Sequence, residues 1–483
     1  MMWAQLIRLS GEDGRPLQWQ IRQAIVSAIS ERLLAPGTRL PSSRDLAAVL
    51  DVARNTVVLA YQQLVDEGIL AAQERSGHYV AQRAGALAAP LPQEAGGDAG
   101  PDWEQRLLQR PSQVRNIVKP ADWQTKPYPF VYGQSDPELF PVNDWRECVK
   151  AALGTLEIRD WSRDLIDGDD PLLIAELRKR VLPLRGVWAS EDEVMVTLGA
   201  QQALFLIANL LIDRTTRVGM EEPGYPDARN IFASRGATLG LLPLDGEGLI
   251  ASEAAGACDL LYVTPSHQCP TTVTMPLARR HQLLALAQAR DCLLIEDDYE
   301  LETPADYTPL PALKSLDRSG RVLYVGSLSK TLAPGLRLGF LVAPPPVIRE
   351  LRALRRLMLR HPPANNQRAA ALFISLGHYE AHLKRLSRAM HERQRLVEAA
   401  LPHHLPAMRW QPALGTTSLW VRAPGRDTRE LARQALAAGV VIEPGDVFFG
   451  CEAPPTSFFR LGFSAIPAMR IERGIAALAR VAG

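Results

Sequence analysis

At 483 residues and 47% hydrophobic content, the chain is too long for one ordinary domain and too apolar for wholesale disorder, so two or three domains are expected. A net charge of +1 neither requires nor excludes a polyanionic partner, and no apolar run approaches the roughly 18 residues of a membrane span. The N-terminus lacks a basic stretch followed by an apolar one, and five scattered cysteines (Cys148, Cys258, Cys269, Cys292, Cys451) follow no paired or metal-ligand spacing, so a soluble, cytoplasmic protein without bound metal or membrane partner is expected.

Leu17, Ile21, Ile25 and Ile29 recur every fourth residue, which predicts a helix that stops near Pro36-Gly37. In "PSSRDLAAVLDVARNTVVLAYQQL", Ser42 or Ser43 can cap a helix reaching about Leu50. Asp51 to Ala53 make a turn, and Arg54 opens a second helix with Val57, Tyr61 and Leu64 inward. "ILAAQERSGHYVAQ" reads as two short strands joined by a polar turn at Glu74 to Gly77.

With "PSSRDLA" and "RNTV" at this separation, the module resembles the winged helix-turn-helix of the GntR regulators. The resemblance implies operator DNA as a partner. Arg54, Asn55 and Thr56 would stand at the major-groove end of the recognition helix, with Arg44, Arg75 and Gly77 toward phosphate or minor groove. Arginines and acidic residues nearly balance in this module, so the pattern rather than net charge carries the reading. Ala53 stands where the family often has serine.

The Ala-, Gly- and Pro-rich stretch from residue 82 to 102 has neither helical nor strand periodicity and reads as a linker. Three regions are expected: a DNA-binding domain over 10–82, a linker over 83–119 and a large domain over 120–483. In the last, "EVMVTLG", "DLLYVTPS", "CLLIEDDYE" and "RVLYVGSLS" alternate with helical stretches, which predicts an α/β fold with a mostly parallel sheet.

Lys330 follows what reads as a buried strand, where an ammonium is costly and its pKa falls, so it is a candidate to form a Schiff base with an aldehyde. The aldehyde cofactor that uses lysines this way is pyridoxal 5'-phosphate (PLP), and the sequence offers a partner for each of its groups. Gly199, Ala200 and Gln201 open a helix after a strand, and Ser327 and Arg337 bracket the lysine; together they can cradle phosphate. Asp297 and Tyr299, two apart on a strand end, share a face and suit the pyridine nitrogen and ring oxygen. Tyr225, on the turn "EEPGYP", suits the ring face.

In this order the motifs resemble the fold-type I aminotransferases from about residue 125 to 483, and their pairing with a GntR-like module resembles the MocR subfamily of regulators. That resemblance implies a large mixed sheet plus a smaller C-terminal α+β subdomain, an aldimine at Lys330, and a homodimer. It also implies that Arg460 in "FFRLGFSA" receives an α-carboxylate-like group. "TPSHQCPTTVTMP" matches a subfamily element, but with Cys269 where an aromatic is usual and Thr272 where glycine is usual; many aminotransferases place asparagine at the first position. His267 in the same loop is a candidate gating or effector-contacting residue. The expected function is a PLP-dependent regulator sensing an amine or amino acid by exchange at Lys330, holding rather than converting it. The alternatives are an aminotransferase with an accessory domain, and a regulator sensing PLP itself.

Overall fold

A continuous apolar helix face and a capped helix pair leave little choice but a small three-helix core, and the computed structural model contains one. It describes residues 3, 6–7, 9, 14–73, 77–83, 101–300, 309–411 and 415–483, in two compact units, Met1–Gln109 and Arg110–Gly483.

In the first unit the helix Leu17–Ser30 buries Ile21, Ile25 and Ile29. Leu17 belongs to the predicted face but is exposed, because the first turn projects beyond the core. Ser42 caps Ser43–Leu50 by accepting from Asp45 N at 3.2 Å, and Asp51 ends it in a left-handed conformation (φ 53°). The helix Arg54–Asp66 then buries Val57, Ala60, Tyr61 and Leu64, each worth about 1.5–3 kcal/mol for the larger side chains. Its N-cap is Ala53, which supplies no side-chain hydrogen bond. Strands β1 (Leu70–Gln73) and β2 (Gly77–Val80) pair antiparallel with Gln73 opposite Gly77, forming the wing.

The second unit is built on an eight-stranded sheet. Its strands are β4 (Val194–Thr197), β5 (Arg217–Glu222), β6 (Thr238–Asp245), β7 (Gly248–Leu249), β8 (Leu260–Val263), β9 (Leu293–Asp298), β10 (Val322–Ser327) and β11 (Gly339–Val342), in the order β4-β11-β10-β9-β8-β5-β6-β7. The run β10-β9-β8-β5-β6 is parallel, and β11 is antiparallel to both its neighbours, so β4 points the same way as the parallel run. Strands β4, β8 and β10 are buried along their whole length, as helix-covered parallel strands require. One end of the sheet therefore gathers the carboxyl ends of β4, β5, β8, β9 and β10, the place where open α/β sheets bind ligands.

Before this sheet comes the short strand β3 (Tyr128–Pro129), which pairs with β14 (Val440–Val441). A smaller C-terminal subdomain packs helices Thr428–Ala437 and Ile471–Ala482 on an antiparallel sheet of β12 (Arg409–Trp410), β13 (Ser418–Arg422), β16 (Phe458–Gly462) and β15 (Glu443–Pro444), in that order. The mixed sheet and α+β subdomain match the expected fold class. Residues 110–119, given to the linker in the sequence reading, lie with the large unit, because Arg115 and Lys119 bond to residues far along the chain.

Candidate functional site

At the carboxyl ends of these strands lies a cavity of about 290 Å³. Gly199, Ala200, Gln201, Tyr225, Asp297, Tyr299, Ser327, Lys330, Arg337 and Arg460 all line it. Most arrive from a strand end: Gly199 after β4, Tyr225 after β5, Asp297 and Tyr299 at the end of β9, Ser327 and Lys330 at the end of β10, whereas Arg337 comes from the turn before β11 and Arg460 from the middle of β16.

One wall is suited to an anion. Gly199 (φ 79°) caps the helix Ala200–Leu211 with no side-chain hydrogen bond, leaving the first backbone N–H groups and the positive end of the helix dipole to the cavity. Ser327, Ser329 and Arg337 complete this wall. Arg337 Nη2 is fixed by Leu198 O at 3.0 Å. A Cβ on Gly339 would lie 2.7 Å from Gly199 Cα, so only glycine lets β11 approach the loop this closely.

Beside the anion wall, Lys330 Nζ lies 4.2 Å from the ring centroid of Tyr132. Burial and then the charge of Arg460 bring its pKa down to about 8. Opposite in character is Asp297: its Oδ2 accepts from Tyr262 Oη at 2.8 Å, while its buried Oδ1 has no hydrogen-bond partner. Burial pushes this carboxyl up to about 7 despite the Tyr262 bond. An unpartnered buried carboxylate oxygen facing a cavity calls for a donor in the cavity.

The two tyrosines have partners that local spacing does not reveal. Tyr225 Oη donates to Asp227 Oδ2 at 2.9 Å, and Tyr299 Oη donates to the backbone carbonyl of His267 at 2.6 Å. His267 itself, the candidate gating or effector-contacting residue, is buried and is not among the residues that line the cavity. The loop around it is folded back by the Met275 N bond to Pro265 O (2.8 Å) and the Thr272 N bond to Gln268 O (2.7 Å), so the residue supports Tyr299 from behind. Cys269 does line the cavity, and burial pushes its thiol up to about 12.

Arg460 is held rigidly. Its Nε donates to Glu443 Oε2 at 2.7 Å, across the β15–β16 pair, and its guanidinium carbon lies 4.0 Å from the Tyr132 ring centroid and 4.7 Å from that of Phe448. Tyr132, Glu443, Asn116 and Lys119 are absent from the sequence reading. "VYGQ" around Tyr132 carried one usable signal, since a Cβ on Gly133 would lie 2.3 Å from Lys330 Nζ. In the DNA-binding unit Arg44, Arg54, Asn55 and Gly77 are exposed and Thr56 half-buried, and Arg54 Nε donates to Ser43 Oγ at 3.3 Å. Arg75 lies outside the described residues.

Among the described residues no helix is long and apolar enough to cross a membrane, and no group of three or more metal-ligating side chains occurs. The aminotransferase class I and II family matches residues 162–478, and the gntR family of bacterial regulatory proteins matches residues 17–80. The HTH-type transcriptional regulator TauR of Rhodobacter capsulatus is 44% identical over 96% of this chain and 96% of its own. MocR of Rhizobium meliloti is 31% identical over 96% of this chain and 93% of its own. Among solved structures, the kynurenine aminotransferase of Pyrococcus horikoshii superposes with a TM-score of 0.71 at 26% identity, covering 79% of this chain and 98% of that one. LysN of Thermus thermophilus, an α-aminoadipate aminotransferase complexed with N-(5'-phosphopyridoxyl)-L-leucine, gives 0.69 at 27% identity over 78% of this chain and 97% of that one. With a DNA-binding GntR unit, a PLP-dependent aminotransferase fold and relatives alike along nearly their whole length, the chain belongs to the MocR subfamily of GntR-type transcriptional regulators.

Proposed function

We propose that this transcriptional regulator holds PLP at Lys330 and senses an amine bearing an acid group that competes with that lysine. The observation that carries the reading is the meeting, in one cavity, of a lysine lowered to about 8 and a buried, unpartnered carboxylate oxygen on Asp297. The remaining walls fit the same group: Gly199 to Gln201, Ser327, Ser329 and Arg337 would hold the phosphate, Asp297 the ring nitrogen, and Tyr225 and Tyr299 would flank the ring. When bound, PLP supplies an aldehyde that exchanges between primary amines.

Every other role falls to the chain. Lys330, its pKa lowered to about 8, would hold the aldehyde and could yield it to a competing amine, while Arg460, held by Glu443 and Tyr132, would orient the acid group of that amine. Occupancy then selects one arrangement of the large unit over another, which is how ligand binding biases DNA binding. Cys269 offers a weakly donating thiol where many aminotransferases place an amide, so the site is suited to holding an amine more than to converting it.

Titrating the loaded protein with amines and amino acids, followed by visible absorbance, tests this. A spectral change with acid-bearing amines and keto acid release well below about 1 per second are expected; ordinary enzyme rates would favour the aminotransferase reading. A regulator that senses PLP alone would show no amine response.

Two further features complete the proposal. The protein is a homodimer: exposed Phe205 and Met358 share a second cavity with the anion wall's Gln201 and Arg337. Sedimentation should give twice 53.1 kDa at micromolar concentration, and a loaded monomer would contradict this. On DNA, Arg54 at the exposed start of its helix reads a base edge and Arg44 contacts phosphate. Arg54→Ala should cost about 1–3 kcal/mol at one operator position and Arg44→Ala should weaken all sequences alike, with equal losses on specific and random DNA for both variants counting against the division.

A further inference from the structure

The stretch from Arg115 to Lys119 is bonded into the cavity wall at separate points. Asn230 Nδ2 donates to Arg115 O at 3.0 Å, and Arg115 donates to Phe449 O. Asn116 Nδ2 donates to Asp227, whose other oxygen accepts from Tyr225 Oη at 2.9 Å. Lys119 Nζ lies 3.1 Å from Glu443 Oε1, whose other oxygen accepts from Arg460 Nε at 2.7 Å. Two acids, Asp227 in the wall and Glu443 buried behind Arg460, are thus each held on one side by a cavity-lining residue, and on the other by one short piece of chain. That piece is covalently continuous with the residues leading back to the DNA-binding unit.

We propose that Lys119 is a second ligand-binding residue, forming with Arg460 a two-cation subsite, bridged by Glu443, that takes the singly charged acid group of an amine ligand. The inference rests on the amine-sensing reading above. Lys119 lines the cavity, and its side chain is 25% exposed, so it is reachable without rearrangement. Among the described residues its ammonium spends one donor contact, on Glu443, out of the three that a lysine carries. Arg460 is engaged through Nε, and among the described residues its two terminal nitrogens make no hydrogen bond.

Charge decides the ligand class. Burial alone would push the Glu443 carboxyl up, yet Arg460 and Lys119 together outweigh it and hold it below its ordinary value, so Glu443 is an anion. Lys119, Arg460 and Glu443 sum to one positive charge, and the charges of Lys330 and Glu300, which also act here, oppose each other. A monoanionic group such as a carboxylate balances that positive charge, whereas a dianion such as a phosphonate leaves an uncompensated negative charge, which burial makes costly. A carboxylate that bonds Lys119 through one of its remaining donors adds a contact at that residue, so occupancy is felt directly by the 115–119 stretch.

The test uses the PLP-loaded full-length protein and its Lys119→Met and Lys119→Arg variants. Straight-chain amino carboxylates, the matching alkylamines and the matching aminoalkylphosphonates are titrated by visible absorbance, and hydrogen–deuterium exchange of residues 110–126 is followed in parallel. In the unaltered protein, carboxylates should act at lower concentration than alkylamines or phosphonates and should change exchange in that peptide. Lys119→Met should raise the carboxylate concentration needed by about tenfold, the low end for a charge-assisted hydrogen bond at a partly exposed group, with the alkylamine response shifted much less and the exchange effect lost. Lys119→Arg should recover most of both. Carboxylate responses in Lys119→Met equal to those of the unaltered protein would overturn the role of Lys119 alone. Phosphonates acting more tightly than carboxylates would overturn the charge balance, and no response of the unaltered protein to any amine would overturn the amine-sensing reading together with this inference.

Discussion

Replacing Lys330 by alanine should abolish all cofactor that borohydride fixes to the protein, read by mass spectrometry of the peptide that contains residue 330. The expectation is steep because of protonation. With its pKa lowered from 10.5 to about 8, Lys330 is unprotonated near neutral pH far more often than an ordinary lysine. Since the folded value is lowered, the sign is fixed: capture of PLP by cofactor-free protein should rise about tenfold per pH unit below about 8 and flatten above it. Lys119 is the internal control, being the other lysine that lines the cavity. Should the alanine variant still trap cofactor, with the label moved to Lys119 or any other lysine, the assignment of Lys330 is wrong.

Which parts of this site are readable before the fold is known follows from the range of the forces involved. Strand ends are local: Ser327 closes the fully buried strand β10 with Lys330 just after it, and Asp297 and Tyr299 stand two apart at the end of β9, so a short window of sequence contains the signal. The helix pair of the DNA-binding unit is equally local, because Ser42 caps and Val57, Tyr61 and Leu64 pack within one motif.

Lys119, Glu443 and Tyr132 are a different case. Glu443 accepts from Tyr132 N at 3.4 Å across 311 residues of chain and reaches Arg460 only because β15 lies beside β16. Nothing in the composition of the Pro- and Ala-rich region before residue 120 announces that its last residues turn into the cavity. His267, read in the sequence as a candidate gating or effector-contacting residue, shows the same limit: cross-loop backbone bonds bury it and leave its carbonyl, a group every residue has, as the contact with Tyr299.

Asp297→Asn should weaken PLP binding by about tenfold or more while leaving the cofactor-free protein as stable as before, or more so. The carboxyl is 3% exposed, Tyr262 satisfies Oδ2, and Oδ1 has no partner, so the cofactor-free fold bears a desolvated charge with half of its hydrogen bonds missing. Its folded pKa is raised from 3.8 to about 7, which means that the folded state binds the proton more tightly than the unfolded one. Stability from this group therefore falls as pH rises from about 4 to about 7, and the asparagine variant lacks that loss. A ring nitrogen that carries a proton reverses the account, because the carboxylate then faces a cation, and an amide in its place leaves that cation buried without a counter-charge. Thermal unfolding with and without PLP separates the two effects: the variant should match or exceed the unaltered protein when cofactor-free, most clearly above pH 7, and gain less from added PLP. Unchanged PLP affinity with reduced cofactor-free stability would make Asp297 a structural residue of the sheet end and would remove the partner assigned to the ring nitrogen.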